Sequence, residues 1–311
     1  MYLEHFQLEE TPFSLTPDTQ FFFDQHSHQE ALNTILIALK SREGFVKVVG
    51  EVGTGKTILG RKLLRSLGGD FISAYLPNPY LSPDELKAYL AAEIKAPVSP
   101  EFPAHEVLLA IYRRLIQLAR KGKQVVFVID EAQSMPRDTI ETLRLLTNME
   151  TEKRKLLQVV LLGQPELDTL LNRPDLRQLK QRIIFNEELK PLSFSKLKDY
   201  VSHRIQSAGY DQAIPLFTDG ALKSLHSASG GIPRLVNVLS HKALLSAFGQ
   251  GHYQVARSHV SRAIQDTDEV RWKGRLAANL MRWLPLTAAV AMVVPFIASM
   301  GLLPLFDGGL L

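Results

Sequence analysis

The sequence predicts an α/β protein in which a parallel-sheet domain is followed by a small all-helical domain and one C-terminal membrane-crossing helix. Three observations predict it. Up to Pro191, short and largely apolar strand signals alternate with helical periods, the pattern of a parallel sheet covered on both faces. Beyond Pro191 only helical periods follow. From Trp283 to Phe306 the chain runs 24 residues without one charge.

The elements follow in order. A Phe- and Pro-containing opening segment (residues 5–23) precedes a predicted helix over 28–41, with Ala31, Leu32, Ile35, Leu36 and Leu39 on one side. Residues 45–49 form an apolar run closed by glycine, read as a buried strand; 57–66 reads as a helix and 71–76 as a second strand. Segments 83–94 and 104–121 are helical by period, 125–129 is an apolar strand, 138–149 a helix, 156–162 a strand and 182–185 a further one. Four amphipathic helices follow at 193–208, 218–227, 232–248 and 256–265, separated by Gly, Pro and Asp. The expected boundaries are 1–191 for the α/β domain (opening segment 1–41 included) and 192–268 for the helical domain. A basic linker at 269–282, a span at 283–306 and a tail at 307–311 complete the chain.

Composition narrows the chemistry. Without cysteine there are no disulfides, thiolate metal sites or cysteine nucleophiles, which is compatible with a reducing compartment. The net charge of +4 is uneven: up to residue 270 the chain carries 32 Lys and Arg against 31 Asp and Glu. The basic excess is Arg271, Lys273, Arg275 and Arg282, which precede the uncharged stretch, so it suits a membrane flank better than a nucleic-acid face. A helix of 24 residues is about 36 Å long, enough for a hydrocarbon core of about 30 Å. Four cations before the span and none after it predict that the N-terminal bulk stays on the cytoplasmic side. The first ten residues lack the basic and apolar regions of a signal peptide.

The chemistry-bearing residues begin at Gly50-Glu51-Val52-Gly53-Thr54-Gly55-Lys56-Thr57, a full G-x-x-x-x-G-K-[ST] phosphate loop. It follows a predicted strand and opens a predicted helix, the context its mechanism needs. Glycines let the loop wrap closely so that backbone N–H groups and the helix N-terminus face phosphates. Lys56 supplies a cation to the β- and γ-phosphates, and the Thr57 hydroxyl is a ligand for Mg²⁺. The strand 125–129 ends in Asp130-Glu131. In an open parallel sheet such ends converge on the ligand crevice, which predicts Asp130 as a metal holder and Glu131 as the residue polarising the attacking water.

Gln164, just past the next strand, either orients water or contacts the γ-phosphate, or is a turn amide. Arg182 and Arg177 are candidates for an arginine finger offered to a neighbouring subunit; the alternative is a basic helix surface, favoured for Arg177. Arg234 starts a helix, where a cation opposes the dipole, and could reach back to the nucleotide. Lys153-Arg-Lys155 reads as a solvated turn, and His26 and His28 as structural or capping residues.

Together these residues resemble an AAA+ ATPase, with Gly-x-Pro-Arg-x-x-Asn (Gly231–Asn237) in the helical second domain as its lid signature. More narrowly, Pro12-Phe-Ser-Leu-Thr-Pro-Asp18, His28-Gln-Glu-Ala31, Ile129-Asp-Glu-Ala-Gln133 and Gly163-Gln-Pro-Glu-Leu167 are similar to the ExeA/GspA-like group, which serves envelope assembly in Gram-negative bacteria. Pro77-Asn-Pro-Tyr-Leu-Ser-Pro83 and Thr16–Phe23 are similar to biogenesis ATPases of the mannose-sensitive haemagglutinin (MSHA) type IV pilus. The resemblance covers residues 1–266. It implies ATP and Mg²⁺ as ligands, a homo-oligomer with active sites between subunits, and pilus or secretion components of the envelope as partners. It also implies a single-pass place in the bacterial inner membrane, held in lipid by the C-terminal helix. ExeA-like proteins continue past their span into a peptidoglycan-binding region; here five residues follow it, so any grip on the cell wall is expected to run through partners. The alternative is a DNA-associated helper ATPase of the transposition-accessory type, disfavoured by the near-neutral charge and the anchor.

Overall fold

The computed structural model describes residues 2–14, 26–99, 101–152, 154–268 and 270. Helix α1 (Tyr2–Phe6) opens the chain, and α2 (His26–Lys40) leads into strand β1 (Phe45–Gly50). Then come α3 (Lys56–Ser66), β2 (Phe71–Leu76), α4 (Pro83–Glu93), α5 (Ala104–Arg120), β3 (Gln124–Ile129) and α6 (Arg137–Leu146). A small hairpin, β4 (Glu150–Thr151) and β5 (Arg154–Lys155), precedes β6 (Leu157–Gly163), α7 (Glu166–Leu171), α8 (Arg177–Lys180) and β7 (Ile183–Leu189). Helices α9 (Phe194–Ser207), α10 (Asp219–Ser229), α11 (Pro233–Phe248) and α12 (Arg257–Gln265) follow.

Five strands pair in parallel in the order β2-β3-β6-β1-β7. The side-chain period of two sends alternate residues to opposite faces. Phe45 and Val49, Val125, Phe127 and Ile129, and Leu157, Val159 and Leu161 meet the helices that follow β2, β3 and β6. Val46 and Val48, Val126 and Val128, and Val160 and Leu162 meet α2 and α3 instead. The central strands β1 and β6 are buried along their whole length, which is why they read as largely apolar runs, with Gln158 the polar residue in β6. Each apolar side chain contributes about 1.5–3 kcal/mol on leaving water. Lys47 is the exception inside β1, and Asp168 of α7 pairs with it.

Several elements differ from the sequence reading. The strand placed at 182–185 runs on to Leu189, hidden from a hydropathy pattern by Asn186, Glu187 and Glu188. As the sheet edge it is only alternately covered, so its outward positions tolerate charge. Of the stretch 153–155, read as a solvated turn, Arg154 and Lys155 form strand β5, and Lys155 pairs with Glu150 across the hairpin. The short helices α7 and α8 carry too few turns for a period to be legible.

A correction concerns the opening segment, grouped above with the α/β domain. Phe6, Leu8 and Phe13 are buried in the core of the helical domain, beside Leu197, Leu216, Phe217 and Leu239. One backbone bond and one side-chain bond fix them there: Glu9 N–H donates to the Ala208 carbonyl at 2.8 Å, and Arg204 Nε donates to that of Pro12 at 2.5 Å. The reason is a free apolar face: α2 and α3 already cover the near side of the sheet, whereas α9–α11 leave a surface that these aromatics complete. The proposed span 283–306 and tail 307–311, and the linker 269–282 apart from Val270, lie outside the described residues. Among the described residues no helix is long and apolar enough to cross a membrane.

The helical domain holds a buried histidine with a defined proton. His259 Nδ1 accepts from the Ala256 N–H at 2.9 Å, so its proton sits on Nε2 and is donated to His252 Nδ1 at 3.1 Å. Burial first, then His252 and Arg262, push its pKa below the ordinary 6.5. The unfolded chain thus binds this proton at a higher pH than the folded one. The stability held by the neutral ring is complete above pH 6.5 and is lost as pH falls through the folded value. Thermal unfolding midpoints are therefore expected to drop between pH ~7.5 and ~5.5, and to drop less in His259→Asn. An equal drop in the variant would place the titration elsewhere.

Candidate active site

The C-terminal ends of β1, β3 and β6 lie side by side, with Val49 level with Gly163 and Ile129 level with Leu161. The phosphate loop leaves β1, Asp130-Glu131 leaves β3, and Gln164 leaves β6. Three segments far apart in sequence thereby open onto one crevice.

The loop has two parts with different supports. Thr54 is buried, and its N–H and hydroxyl both donate to the Glu51 carbonyl, at 3.2 and 2.8 Å. Gly55 is the N-cap of α3, so the free N–H groups of the first turn face out of the helix end. The Lys56 ammonium donates to the carbonyls of Gly50 (2.8 Å) and Glu51 (3.1 Å). Burial lowers its pKa, while Glu131, Asp130, Glu51 and Glu166 act in the opposite direction. Gly53 has φ +81°, and a Cβ there would lie 2.5 Å from Arg234 Cβ. Glycine is required at this point by backbone conformation and by space together. The Arg234 N–H donates to the Gly53 carbonyl at 3.2 Å, so the start of α11 rests directly on the loop.

Asp130 is 2% exposed, and its oxygens are satisfied. Oδ2 accepts from the Thr57 hydroxyl at 2.6 Å and the Tyr75 hydroxyl at 3.2 Å, and Oδ1 accepts from the Glu131 N–H at 2.9 Å. Burial and then Asp130 push the Tyr75 phenol up to about 12, so it stays a donor throughout the neutral range. The paired Thr57 and Asp130 oxygens are hard donors of the kind Mg²⁺ accepts while keeping several waters. Among the described residues no group of three or more His, Asp or Glu side chains gathers for a cation.

Glu131 stands in the left-handed region at φ 50° and caps a short 3₁₀ turn, Ala132–Ser134. For a residue with a Cβ that conformation is strained, and such strain gathers at functional sites. Its Oε2 accepts from Gln164 Nε2 at 2.9 Å and Gln133 Nε2 at 2.6 Å, and the Gln164 N–H donates to Gln133 Oε1 at 3.0 Å. A carboxylate fixed by two amides can keep its other oxygen directed at a water.

The other two candidates lie elsewhere. Arg182 precedes Ile183, which is level with Phe45 at the start of β1. The strand from there to Gly50 spans about 17 Å, so Arg182 stands at the opposite end of the sheet from the loop of its own chain. There it donates to Asn148 Oδ1, and Arg177 is exposed at the first turn of α8. Sequence reasoning missed Tyr75, Gln133 and the loop contact of His28. Of these only Gln133 carried a signal, as part of Asp-Glu-Ala-Gln.

Comparison with known proteins agrees with this geometry. Residues 39–171 match the AAA domain family. The chain is 41% identical over 281 residues to General secretion pathway protein A of Aeromonas hydrophila, covering 90% of this chain and 51% of that protein. It thus spans about half the length of that relative. Among solved structures it is similar to Aeropyrum pernix ORC1 in complex with DNA (TM-score 0.60, 20% identity, 96% of this chain and 77% of that one). It is also similar to the Thermotoga maritima RuvB Holliday junction branch migration motor (TM-score 0.53, 17% identity, 82% and 73%). At these identities the two structures speak for the fold alone.

Glu131→Gln keeps shape and amide contacts but loses the negative charge. It is expected to bind nucleotide and to turn it over at least ~100-fold more slowly, read by single-turnover phosphate release. A wild-type rate would assign the water to another residue.

Proposed function

We propose that the chain, whose residues 39–171 match the AAA domain family, is an ATP-hydrolysing enzyme whose residues work as follows. The carrying observation is that the loop leading to Lys56 and Thr57, the pair Asp130-Glu131 and Gln164 leave the ends of three neighbouring strands. In this reading the loop from Gly50 to Thr57 holds the phosphates through its N–H groups, and Lys56 leaves the carbonyls of Gly50 and Glu51 for phosphate oxygens. Thr57 and Asp130 hold Mg²⁺, which when bound neutralises charge on the phosphate oxygens. Glu131 accepts a proton from the attacking water, with Gln133 and Gln164 fixing its carboxylate. Arg234, seated on Gly53, reports the nucleotide to the helical domain.

We further propose that the protein acts as a homo-oligomer in which Arg182, with Arg177 beside it, reaches a neighbour's nucleotide. The distance from its own loop supports a role only between subunits. The physiological setting we infer is the bacterial inner membrane, with residues 283–306 as a single span and the ATPase domain in the cytoplasm. The work is then assembly or localisation of an MSHA-like type IV pilus or a related secretion machine of the envelope. Likeness to General secretion pathway protein A and the charge asymmetry around the apolar stretch support this reading.

Two measurements test it. Arg182→Ala should lower turnover and leave ATP binding intact, and mixing it with Glu131→Gln should restore activity, because one mixed interface pairs an intact Glu131 with an intact Arg182. No rescue in assemblies proven to be mixed would remove the finger. The full chain should need detergent for extraction, whereas a chain ending at Val270 should be soluble, hydrolyse ATP and fail to support piliation. A full chain that fractionates without detergent would overturn the anchor.

A further inference from the structure

His28 is not absorbed by the chemistry above, yet it is 6% exposed and sits against the phosphate loop. It lies in the first turn of α2, 26 residues before the Thr54 carbonyl that its Nε2 meets at 2.9 Å. A carbonyl only accepts, so Nε2 carries the proton and donates. The ring also fills the space beside Gly55: a Cβ on that residue would lie 2.7 Å from Nε2.

We propose that His28 is a positioning residue of the nucleotide site, acting through the peptide between Thr54 and Gly55. The unit is planar and trans, so its C=O and N–H point in opposite directions. Holding the Thr54 carbonyl toward α2 turns the Gly55 N–H away from α2, outward at the N-cap of α3. That N–H belongs to the set that cradles phosphates in a loop of this kind. Thr54 has its N–H and hydroxyl already committed to Glu51, so His28 supplies the remaining support and fixes the peptide plane. Gly55, at φ +101°, adopts a conformation open to glycine, and its neighbour His28 occupies the volume that the absent side chain leaves. His28 itself touches no reacting atom. Its loss weakens phosphate binding and leaves the hydrolytic step, which runs through Glu131, unchanged.

This rests on the nucleotide reading given above, and the experiment separates the two. ADP and ATP are titrated calorimetrically into the full chain and into His28→Phe and His28→Gln, with steady-state hydrolysis and unfolding midpoints alongside. Failure of the wild-type chain to bind ADP would overturn the nucleotide reading before any variant is considered. With binding established, His28→Phe, which keeps ring volume but has no donor, should lose about tenfold in affinity for ADP and ATP alike. KM should rise in parallel and kcat stay within about twofold. His28→Gln, whose Nε2 amide can donate, should recover to within about threefold of wild type, which a purely structural role of the ring would not produce. Unchanged ADP affinity in a natively folded His28→Phe would overturn the proposal. So would a fall in kcat at unchanged KM, or a Gln variant no better than Phe. Should His28→Phe fail to fold, ADP affinity in His28→Gln against His28→Ala decides: recovery in Gln alone supports the proposal, and equal affinities overturn it.

Discussion

A buried carboxylate must be given donors, and the site is organised around that requirement at Asp130. Its three partners come from different places: Thr57 from the first turn of α3, Tyr75 from β2, and the Glu131 N–H from the chain just beyond. Hydrogen bonds to a charged group are worth about 1.5–3 kcal/mol each, more than neutral ones. Satisfying Asp130 therefore ties the first turn of α3 to the sheet. It also sends the chain into the left-handed turn at Glu131, since the Glu131 N–H is already committed to Asp130. A cation bound beside both residues would meet two oxygens that lie 2.6 Å apart.

Around Glu131 the supports are amides rather than charges. Gln133 and Gln164 bond to each other and to the same oxygen of Glu131. Both side-chain amides donate to the carboxylate, so they fix its orientation without adding a formal charge beside it. Of the cations, Lys56 lies on the loop carbonyls, where the charge of Glu131 acts on it, and Arg182 lies at the far end of β7.

How much of this was legible in the sequence depended on whether a feature is local. The strand-loop-helix around Gly50–Thr57 and the apolar run ending in Asp130-Glu131 announce themselves because period and motif are properties of neighbouring residues. Edge strand β7 was half legible, since solvent lets Glu187 and Glu188 stand where a core strand would carry valine. The contacts of His28 with Thr54, Tyr75 with Asp130 and Phe13 with the helical core were not legible. They join residues 26, 55 and 204 positions apart, and nothing in a local pattern encodes which distant surface a side chain will meet. Arg177 and Arg182 show the same limit from the other side. The sequence offers both as cations near a strand, and only the parallel register with β1 reveals that Arg182 stands at the end of the sheet opposite its own loop.

The seat of Arg234 on Gly53 gives the helical domain a fulcrum. Helix α11 has 16 residues and is about 24 Å long, with one end on the phosphate loop and Phe248 at the other. There Phe248 meets the ring of His5 edge-on at 5.3 Å, in the N-terminal helix α1. Tilting such a rod by ~10° about Arg234 carries its far end about 4 Å, by the length of the helix alone. The rod thus joins the phosphate loop at Arg234 to the N-terminal helix packed against its far end.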